Sequence, residues 1–436
     1  MSIFRAYDIR GIYGKDLTEK VMLNIGKALG TFLEGNKNVC VGYDTRKSSK
    51  KLFEAFSSGL ISTGCNVISL GLVANPMLYF YAWKNKMFGA LITASHNPKE
   101  WNGLKMVRAN GVSFIEEVKK IEEIYNSKNF IKGKGKITKA DVIKDYRKFL
   151  ENRFGIIRKK VVIECFGAAV VTALPILRSL GLNIISLHDK PDGNFFGFAR
   201  PEPKGENLNI LKKAVIREKA DFGVAFDGDS DRSVFVDDKG REPNVSSLIA
   251  LFVDFILKKK KGSILLTADC ASEIENIAKK LGGKTIWWRV GHGFIEEKSA
   301  KEKVLFAGEQ SSHLYFNEFY PFSDGILATI YLAKILSESK KTLSELIDKI
   351  KLYSIEKLYI NVENDENKIR IVENLKKRYP NALDIMDGIK IKLNDIEWVL
   401  IRASQTNPEI NLCIEAKNEK RLKDLIIEYT KLIKQI

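Results

Sequence analysis

The sequence predicts an α/β protein with three similar doubly wound α/β domains followed by a smaller α+β C-terminal domain. Short apolar strands alternate with amphipathic helices, which is typical of parallel sheets covered by helices. This alternation starts again further along the chain, and its pattern changes after Ser354. We therefore place the domains at residues 1–140, 141–242, 243–352 and 353–436.

The first domain is predicted from strands at 39–43, 66–70 and 89–93 and helices at 48–63 and 76–86. The basic, glycine-punctuated segment 131–139 has little to bury and marks the edge of this domain. A helix from about Ala140 leads into the second domain.

The remaining domains follow the same reasoning. In the second, strands are predicted at 161–163, 183–187 and 222–226 and helices at 168–180 and 206–219. The third has predicted helices at 245–257, 272–281, 293–301 and 324–337 and strands at 263–267, 284–289 and 304–307. In the fourth, strands are predicted at 357–362, 389–393, 398–402 and 410–416 and helices at 367–378 and 420–436.

Composition limits the class of protein. The chain has 436 residues, of which 45% are hydrophobic and 29% are charged, as expected of an ordinary globular protein. Its five cysteines are scattered without a C-x-x-C pair, which argues against a disulfide framework and a thiolate zinc site and favours the cytoplasm. The N-terminus is charged where a signal peptide is apolar, and no apolar run approaches the ~18 residues of a membrane span. We expect no membrane association.

The formal net charge of +17 permits nucleic acid, acidic lipid or small anions as partners. Most lysines are dispersed on predicted helices, and clusters occur only at 258–261 and 132–139. No basic motif interleaved with aromatic residues supports nucleic-acid binding. A small anionic substrate is the expected partner.

A candidate reactive centre follows the apolar strand at 89–92. The segment T-A-S-H-N-P places Ser95 and His96 in a loop closed by Asn97 and Pro98, and Lys105 follows. A hydroxyl beside an imidazole at a strand end is typical of a nucleophile, but a capped turn has the same residues. These residues alone leave both interpretations open.

A candidate metal site follows the predicted strand at 222–226. The motif D-G-D-S-D-R contains Asp227, Asp229 and Asp231, whose carboxylates would repel one another unless a cation or a structured turn compensates. Oxygen ligands without histidine or cysteine favour Mg²⁺. An acidic surface turn is the alternative, whereas a calcium loop is excluded because no glutamate follows at the EF-hand spacing.

Further polar loops follow later strands. In G-E-Q-S-S-H, Glu309, Ser311 and His313 suit sugar hydroxyls, although they could also cap the next element. The motif R-V-G-H-G contains Arg289 and His292. In R-A-S-Q-T-N-P, an arginine, hydroxyl groups and backbone amides could bind a phosphate or form a plain turn.

The ordered set of motifs resembles the α-D-phosphohexomutase superfamily, in its phosphomannomutase/phosphoglucomutase branch. The resemblance covers the whole chain and also includes F-R-A-Y-D-I-R-G-I-Y-G, N-G-L-K and P-E-P-K-G-E-N-L. It implies four domains around a central cleft and the interconversion of hexose 1-phosphate and hexose 6-phosphate, with mannose or glucose as the sugar. The phosphoryl group would pass through a phosphoserine and a hexose 1,6-bisphosphate intermediate.

The resemblance also implies roles for individual residues. Ser95 would be the phosphoserine, and its phosphoryl group would hold Mg²⁺ together with Asp227, Asp229 and Asp231. The other implied catalytic residues are His96, Lys105, Arg10, Arg232 and His292. The implied substrate-binding residues are Tyr7, Arg289, Glu309, Ser311, His313, Arg402, Ser404, Gln405 and Thr406.

Several positions depart from the family pattern. Asn411 and Cys413 stand where a further arginine is usual, Ser312 replaces a glycine, and residues 164–169 read E-C-F-G-A-A. A phosphoglucosamine mutase and a catalytically impaired phosphosugar-binding protein therefore remain alternatives. We expect a monomer or a homodimer.

Overall fold

The computed structural model describes residues 2–385, 387–404 and 409–436. The chain divides into two compact units. The first unit comprises Met1–Pro243, His292–Glu302 and Ser312–Leu346, and the second comprises Asn244–Gly291, Lys303–Ser311 and Ile347–Ile436. The four domain boundaries expected from the sequence remain predictions.

The first sheet of the first unit is mixed. Its elements are β1 (Asp8–Ile12), α1 (Glu19–Phe32), β2 (Asn38–Tyr43), α2 (Ser49–Ile61), β3 (Asn66–Leu72), α3 (Asn75–Lys84), β4 (Phe88–Ile92), β5 (Trp101–Val107), α4 (Glu116–Ser127), β6 (Ile137–Lys139) and α5 (Val142–Phe154). The strand order is β1-β5-β4-β2-β3-β6. Strands β2, β3 and β4 are parallel as predicted, whereas the parallel edge strand β6 and the antiparallel strands β1 and β5 were missed by the sequence analysis.

Helices α1 and α2 pack closely in this first part of the unit. A Cβ atom on Gly26 would lie 2.2 Å from the carbonyl oxygen of Phe56, so only glycine allows this approach. The apolar faces of both helices join a core that includes Met22, Phe56 and Ile92. Burial of this core is the main stabilising contribution to the sheet.

The second sheet lies in the same unit. Its elements are β7 (Lys160–Glu164), α6 (Leu174–Ser179), β8 (Asn183–Leu187), α7 (Asn209–Glu218), β9 (Phe222–Phe226) and β10 (Ser233–Val236), with strand order β10-β9-β7-β8. The single helix predicted at 168–180 was wrong, because a 3₁₀ turn at Ala169–Thr172 precedes α6. Pro175 lies in the first turn of α6, where its missing N–H breaks no helical hydrogen bond.

The next stretch of the chain contributes to both units. Its elements are α8 (Val245–Lys259), β11 (Ser263–Thr267), α9 (Ser272–Lys280), β12 (Lys284–Trp288), α10 (His292–Glu302), β13 (Phe306–Gly308), β14 (Leu314–Tyr315), α11 (Gly325–Ser339) and α12 (Leu343–Ile347). In the second unit, β11 pairs in parallel with β12 and β13. Helices α10 and α11 belong to the first unit.

The C-terminal part of the second unit is the predicted α+β domain. It contains β15 (Ser354–Asn361), α13 (Asp365–Arg378), β16 (Leu383–Asp384), β17 (Gly388–Lys392), β18 (Trp398–Ala403), β19 (Glu409–Ala416) and α14 (Glu419–Gln435). These strands form an antiparallel sheet in the order β15-β19-β18-β17-β16. Helices α13 and α14 bury Leu375, Leu425 and Tyr429 in its core. The predicted fold class is therefore confirmed.

Among the helices of the described residues, none combines the length and the apolar character that crossing a membrane requires.

A buried polar network joins α5 to α11 in the first unit. Asp324 caps α11, since its Oδ1 accepts from the backbone N–H of Leu327 at 2.8 Å. Its Oδ2 accepts from the hydroxyl groups of Tyr146 at 2.5 Å and Tyr320 at 2.8 Å. Burial raises the pKa of Asp324 to about 6, although these hydrogen bonds act in the opposite direction. The hydrogen bonds from Tyr146, Tyr320 and Leu327 therefore stabilise the charged form of the buried Asp324 carboxylate.

We expect Tyr146→Phe to lower the free energy of unfolding of the first unit by about 1–3 kcal/mol, because it leaves a buried carboxylate with one donor fewer. The exposed Tyr359 supplies the matched control, Tyr359→Phe, which removes a hydroxyl from a side chain that is 62% exposed. Thermal unfolding of the two variants and the wild type measures the difference. Equal melting temperatures for all three would contradict this role of Tyr146.

Candidate active site

Ser95 lies directly after β4, in a loop with an unusual backbone. Its φ of 50° lies in the left-handed region, and its side chain is buried. The backbone N–H of Ser95 donates to Thr93 Oγ1 at 2.9 Å. Residues in this conformation persist where their surroundings hold them in place, so the loop requires specific support.

Arg46 provides much of that support, and the sequence analysis did not identify it. Its guanidinium group donates to the carbonyl oxygens of Ser95 at 2.6 Å, Asn97 at 2.8 Å, Pro98 at 2.5 Å and Trp101 at 3.0 Å. A single buried side chain thus fixes the backbone of Ser95 and of the residues that follow it. The D-T-R sequence after β2 was the signal that could have indicated it, because charged residues following a buried strand are uncommon.

Asp44 orients Arg46. The Arg46 Nε donates to Asp44 Oδ2 at 3.1 Å, and the Thr93 hydroxyl donates to the same oxygen at 2.8 Å. The Ser49 hydroxyl donates to Asp44 Oδ1 at 2.5 Å. Burial raises the pKa of Asp44, while Arg46 and these hydrogen bonds oppose that change. The pair forms a buried and hydrogen-bonded support for the loop.

The carboxylates of D-G-D-S-D-R lie beside the Ser95 hydroxyl. Ser95 Oγ donates to Asp227 Oδ2 at 2.7 Å. Asp227, Asp229 and Asp231 are all buried, and each offers an oxygen within 4.8 Å of the others. Gly228 allows this approach, because a Cβ atom there would lie 2.2 Å from the carbonyl oxygen of Ser95. The structure thus brings the predicted nucleophile and the predicted metal ligands together.

Lys105 on β5 compensates part of this negative charge. Its Nζ lies 2.7 Å from Asp229 Oδ2 and 2.5 Å from Asp231 Oδ2. Burial alone would lower the pKa of Lys105, but the two carboxylates outweigh burial and raise it. In the same way, burial raises the pKa of Asp231, but Lys105 and His313 hold it well below its usual range. Lys105 is therefore a charged partner of the triad.

Positive charge compensates the Asp227 carboxylate less than it compensates Asp231. Burial raises its pKa to about 7, and the charges of Asp231 and Asp229 add to this effect. Asp229 Oδ1 is buried and has no hydrogen-bond partner within the described residues. Orphaned buried carboxylate oxygens and excess negative charge are what an oxygen-ligated cation would satisfy, so the residues present fit Mg²⁺.

Asn75 is a further contact of the triad that the sequence analysis missed. Its side-chain amide donates to Asp231 Oδ2 at 3.2 Å, and its backbone N–H donates to the carbonyl oxygen of Asp229 at 2.8 Å. An asparagine at the start of α3 resembles an ordinary helix start, so the sequence contained no distinguishing signal.

Two basic residues, His96 and Arg10, contact the loop that contains Ser95. His96 Nδ1 lies 3.3 Å from Ser95 Oγ. Burial lowers the pKa of His96 to about 2, and the charges of Arg232 and Arg10 contribute further. Arg10 donates to Asp8 Oδ2 at 2.8 Å and to Asn97 Oδ1 at 2.5 Å. The imidazole is neutral in this state, and its surroundings favour an anion beside Ser95.

The remaining predicted residues of the first unit form one aromatic and basic group. Tyr7 packs edge-on against His292, with ring centroids 4.3 Å apart. His292 is buried, its Nδ1 lies 3.6 Å from Glu296 Oε1, and its Nε2 has no hydrogen-bond partner within the described residues. Arg232 Nε donates to His313 Nε2 at 3.3 Å. His313 Nε2 also lies 3.3 Å from Asp231 Oδ1.

Other predicted substrate-binding residues belong to the second unit. Glu309 is buried and accepts from the backbone N–H of Gly291 at 3.1 Å. Arg402 donates to Asp387 Oδ2 at 2.7 Å, and its buried Nε has no hydrogen-bond partner within the described residues. The backbone N–H of Ser404 donates to the carbonyl oxygen of Glu409 at 2.9 Å. Arg289 and Ser311 are half-buried in this unit.

Two predicted residues, Gln405 and Thr406, lie outside the residues that the structure describes. The structure describes the surroundings of three residues that depart from the family pattern, Asn411, Cys413 and Ser312. Asn411 pairs in register with Arg402 across β18 and β19, whereas Cys413 is buried among Ala268, Trp398 and Leu400. Ser312 has a φ of 67°, a conformation in which the usual glycine carries no steric cost.

Comparisons with known proteins agree along the whole chain. Family models described as Phosphoglucomutase/phosphomannomutase, alpha/beta/alpha domains I, II and III match residues 1–132, 144–240 and 244–353. A Phosphoglucomutase/phosphomannomutase of Thermococcus kodakarensis is 36% identical, with 99% of this chain and 98% of that protein covered. A Phosphomannomutase of Methanocaldococcus jannaschii is 34% identical, with 100% and 98% covered. A crystal structure of a Phosphoglucomutase/phosphomannomutase family protein from Burkholderia thailandensis has a TM-score of 0.89 at 26% identity and covers 99% of this chain and 97% of its own.

The aspartate triad predicts divalent-cation binding that depends on Asp229. We expect Mn²⁺, used as a paramagnetic substitute for Mg²⁺, to bind the wild-type protein and to bind Asp229→Asn at least ~10-fold more weakly, because a charged oxygen ligand is lost. Titration followed by electron paramagnetic resonance measures free Mn²⁺. Asp189→Asn is the matched control, since Asp189 is exposed and its carboxylate accepts from Ser186. Equal affinities for all three proteins would exclude the triad as the metal site.

Proposed function

Because the chain belongs to the phosphoglucomutase/phosphomannomutase family, it is a phosphohexomutase, and we propose that Ser95 carries the phosphoryl group that it transfers. The supporting observation is the 2.7 Å contact between Ser95 Oγ and Asp227 within a buried cluster of acidic and basic groups. The substrates are hexose 1-phosphates and hexose 6-phosphates, with mannose and glucose as the sugars. Their conversion makes the protein an isomerase.

The proposed reaction has two transfers. The free hydroxyl oxygen of a hexose monophosphate attacks phosphorus on phosphoserine-95, the bond between phosphorus and Oγ breaks, and a hexose 1,6-bisphosphate forms. The other phosphoryl group of this intermediate then returns to Ser95 Oγ, which leaves the isomeric monophosphate. Such transfers require positioning and charge neutralisation rather than further covalent chemistry from the protein.

Neutralisation comes from the groups around Ser95. Asp227, Asp229, Asp231 and a phosphoryl oxygen on Ser95 would hold Mg²⁺, which when bound offsets the negative charge of the transferring group. Arg10 and Arg232 supply fixed positive charge in the same region, and both contribute to the low pKa of His96. Lys105 pairs with Asp229 and Asp231, and it would become available to the phosphoryl group once a bound cation compensates these carboxylates.

A proton must leave the attacking hydroxyl. The His292 Nε2 atom suits this task, because it is buried and has no hydrogen-bond partner within the described residues. Packing of Tyr7 against the imidazole ring and the nearby Glu296 carboxylate hold the ring in place. Burial lowers the pKa of His96 to about 2, which makes His96 a poor base. Its position instead supports a role in orienting the phosphoryl group.

The remaining predicted residues would bind the sugar and its second phosphate. We propose that Glu309, Ser311 and His313 bind ring hydroxyls that both substrate orientations present. Arg402 and Ser404, together with Gln405 and Thr406, would bind the phosphate that does not react, and Arg289 would bind the phosphate that is transferred. The buried Arg402 Nε, which has no partner within the described residues, supports this assignment.

All five cysteines are free and buried, which supports a cytoplasmic location. The proposed partners are free hexose phosphates, and the proposed assembly is a monomer or a homodimer.

We expect Ser95→Ala to lower the rate of conversion of glucose 1-phosphate to glucose 6-phosphate at least ~1000-fold, since the group that carries the phosphoryl is removed. The assay contains Mg²⁺ and a trace of glucose 1,6-bisphosphate. Ser57→Ala is the matched control, because Ser57 is buried and its hydroxyl has no partner within the described residues. Full activity of Ser95→Ala would contradict the assignment of Ser95.

The same assay with mannose 1-phosphate and glucosamine 1-phosphate ranks the sugars by kcat/KM. A higher value for glucosamine 1-phosphate would favour the phosphoglucosamine mutase alternative. Binding of all three compounds without turnover by the wild-type protein would instead identify a phosphosugar-binding protein.

Arg46→Lys tests the support of the Ser95 loop. Lysine keeps the positive charge but cannot donate simultaneously to four carbonyl oxygens in the fork geometry of a guanidinium group. We expect kcat to fall ~10- to 100-fold with KM nearly unchanged, because a displaced Ser95 loop misaligns the transfer. Arg153→Lys on α5 serves as the control. A proportional rise in KM with unchanged kcat would contradict a positioning role.

A further inference from the structure

The second unit contains a cavity of about 500 Å³ that has no part in the proposed reaction. Its wall includes the rings of Trp287, Tyr379 and Trp398 together with Leu383 and Ile391. These residues come from β12, β16, β17, β18 and the segment after α13. Polar side chains, among them Ser272, Asn381 and Asn394, complete the lining.

Lys390 on β17 also lines this cavity. Its side chain is only 7% exposed, and its Nζ lies 3.5 Å from the ring centroid of Trp287 and 4.0 Å from that of Trp398. Within the described residues, Nζ has no hydrogen-bond partner. A buried ammonium group without an acceptor is unfavourable, and two indole rings replace only part of its lost hydration.

The carboxyl groups of Glu415 and Asp269 partly offset the effect of burial on the pKa of Lys390, and each keeps one buried oxygen without a hydrogen-bond partner within the described residues. Glu415 Oε2 accepts from the Trp398 indole N–H at 2.5 Å and from the backbone N–H of Ser272 at 2.8 Å. These contacts hold Trp398 in place and leave Lys390 without a direct carboxylate partner in the described chain. Burial lowers the pKa of Lys390 to about 8, so most of the amine is still charged at neutral pH.

The acidic residues at the rim of the cavity, Asp395 and Glu275, are each paired with a lysine, so they leave little net negative charge to repel an anion. Lys392 and Asp395 form a pair at 3.1 Å, and Glu275 lies 3.5 Å from Lys279. Arg378 adds a further positive charge to the lining. The lining of the cavity therefore combines aromatic rings, a positively charged residue at the rim and a buried lysine without a hydrogen-bond acceptor within the described residues.

We propose that this cavity binds a small aromatic acid, whose carboxylate or sulfonate group pairs with Lys390 Nζ and whose ring lies against the apolar wall. The anion supplies the acceptor that the ammonium group lacks, and the ring excludes water from Trp287, Tyr379 and Leu383. Binding is separate from hexose phosphate turnover, since none of these residues belongs to the proposed catalytic or substrate-binding set.

The probe is 1-anilinonaphthalene-8-sulfonate, an aromatic sulfonate that fluoresces when it leaves water. We expect saturable binding of about one probe per wild-type chain and at least ~10-fold weaker binding by Lys390→Met, because a charge-assisted contact is lost. Lys392→Met is the matched control, since this exposed neighbouring lysine pairs with Asp395 and keeps the interior cation. Lys390→Met is expected to fold, because methionine keeps the apolar stem and removes an ammonium group that has no acceptor.

Two outcomes would overturn the proposal. One is equal probe affinity for Lys390→Met and the wild type. The other is displacement of the probe by glucose 1,6-bisphosphate, which would assign the probe to the phosphosugar site. Wild-type mutase activity of Lys390→Met checks that this variant is folded.

A second measurement needs no variant. Trinitrobenzenesulfonate modifies amines, and peptide mass analysis locates the modified lysines. We expect naphthalene-1-sulfonate to slow the modification of Lys390 and to leave that of Lys392 unchanged. Equal protection of both lysines, or of neither, would contradict binding at Lys390.

Discussion

The ion pairs between Lys105 and the aspartate triad are the interaction on which the candidate site depends. Three buried carboxylates within five residues repel one another strongly, so the loop keeps its shape only with positive charge close by. Lys105 reaches Asp229 and Asp231 because β5 runs antiparallel to β4 and pairs the lysine with Leu91, near the end of the strand that precedes the Ser95 loop. The antiparallel strand β5, which lies beside the parallel strands, therefore contributes a charged residue directly to the candidate site.

Different residues hold the proposed nucleophile and the proposed metal ligands in place. Arg46 holds the backbone around Ser95 through carbonyl oxygens, whereas Lys105 and Asn75 contact the carboxylates. Close approach at Gly228 joins the two parts and brings the Ser95 hydroxyl to Asp227. A phosphoryl group on Ser95 would thus meet positioned charges, which is the requirement for a loose phosphoryl transfer.

Two buried lysines in this chain show how partners decide the state of an amine. Carboxylates raise the pKa of Lys105 despite its burial, whereas Lys390, which faces indole rings and an open cavity, has a lowered pKa. The first forms ion pairs with Asp229 and Asp231. The second lacks an acceptor, and that deficit is the physical basis for a second binding site in the protein.

The sequence by itself determined the fold class, the alternation of most strands and helices, and the loops that contain Ser95, the aspartate triad and Glu309. Short apolar strands followed by polar motifs provide a strong local signal, so these features needed no knowledge of distant contacts. The antiparallel strands β1 and β5 and the broken helix before α6 were missed because pairing partners, not local pattern, determine strand direction, and one proline decided the helix start. Arg46, Asn75 and Lys390 were missed for the same reason. Their roles come from carbonyl oxygens, carboxylates and indole rings that lie far away in sequence, and only the tertiary structure brings those groups into contact.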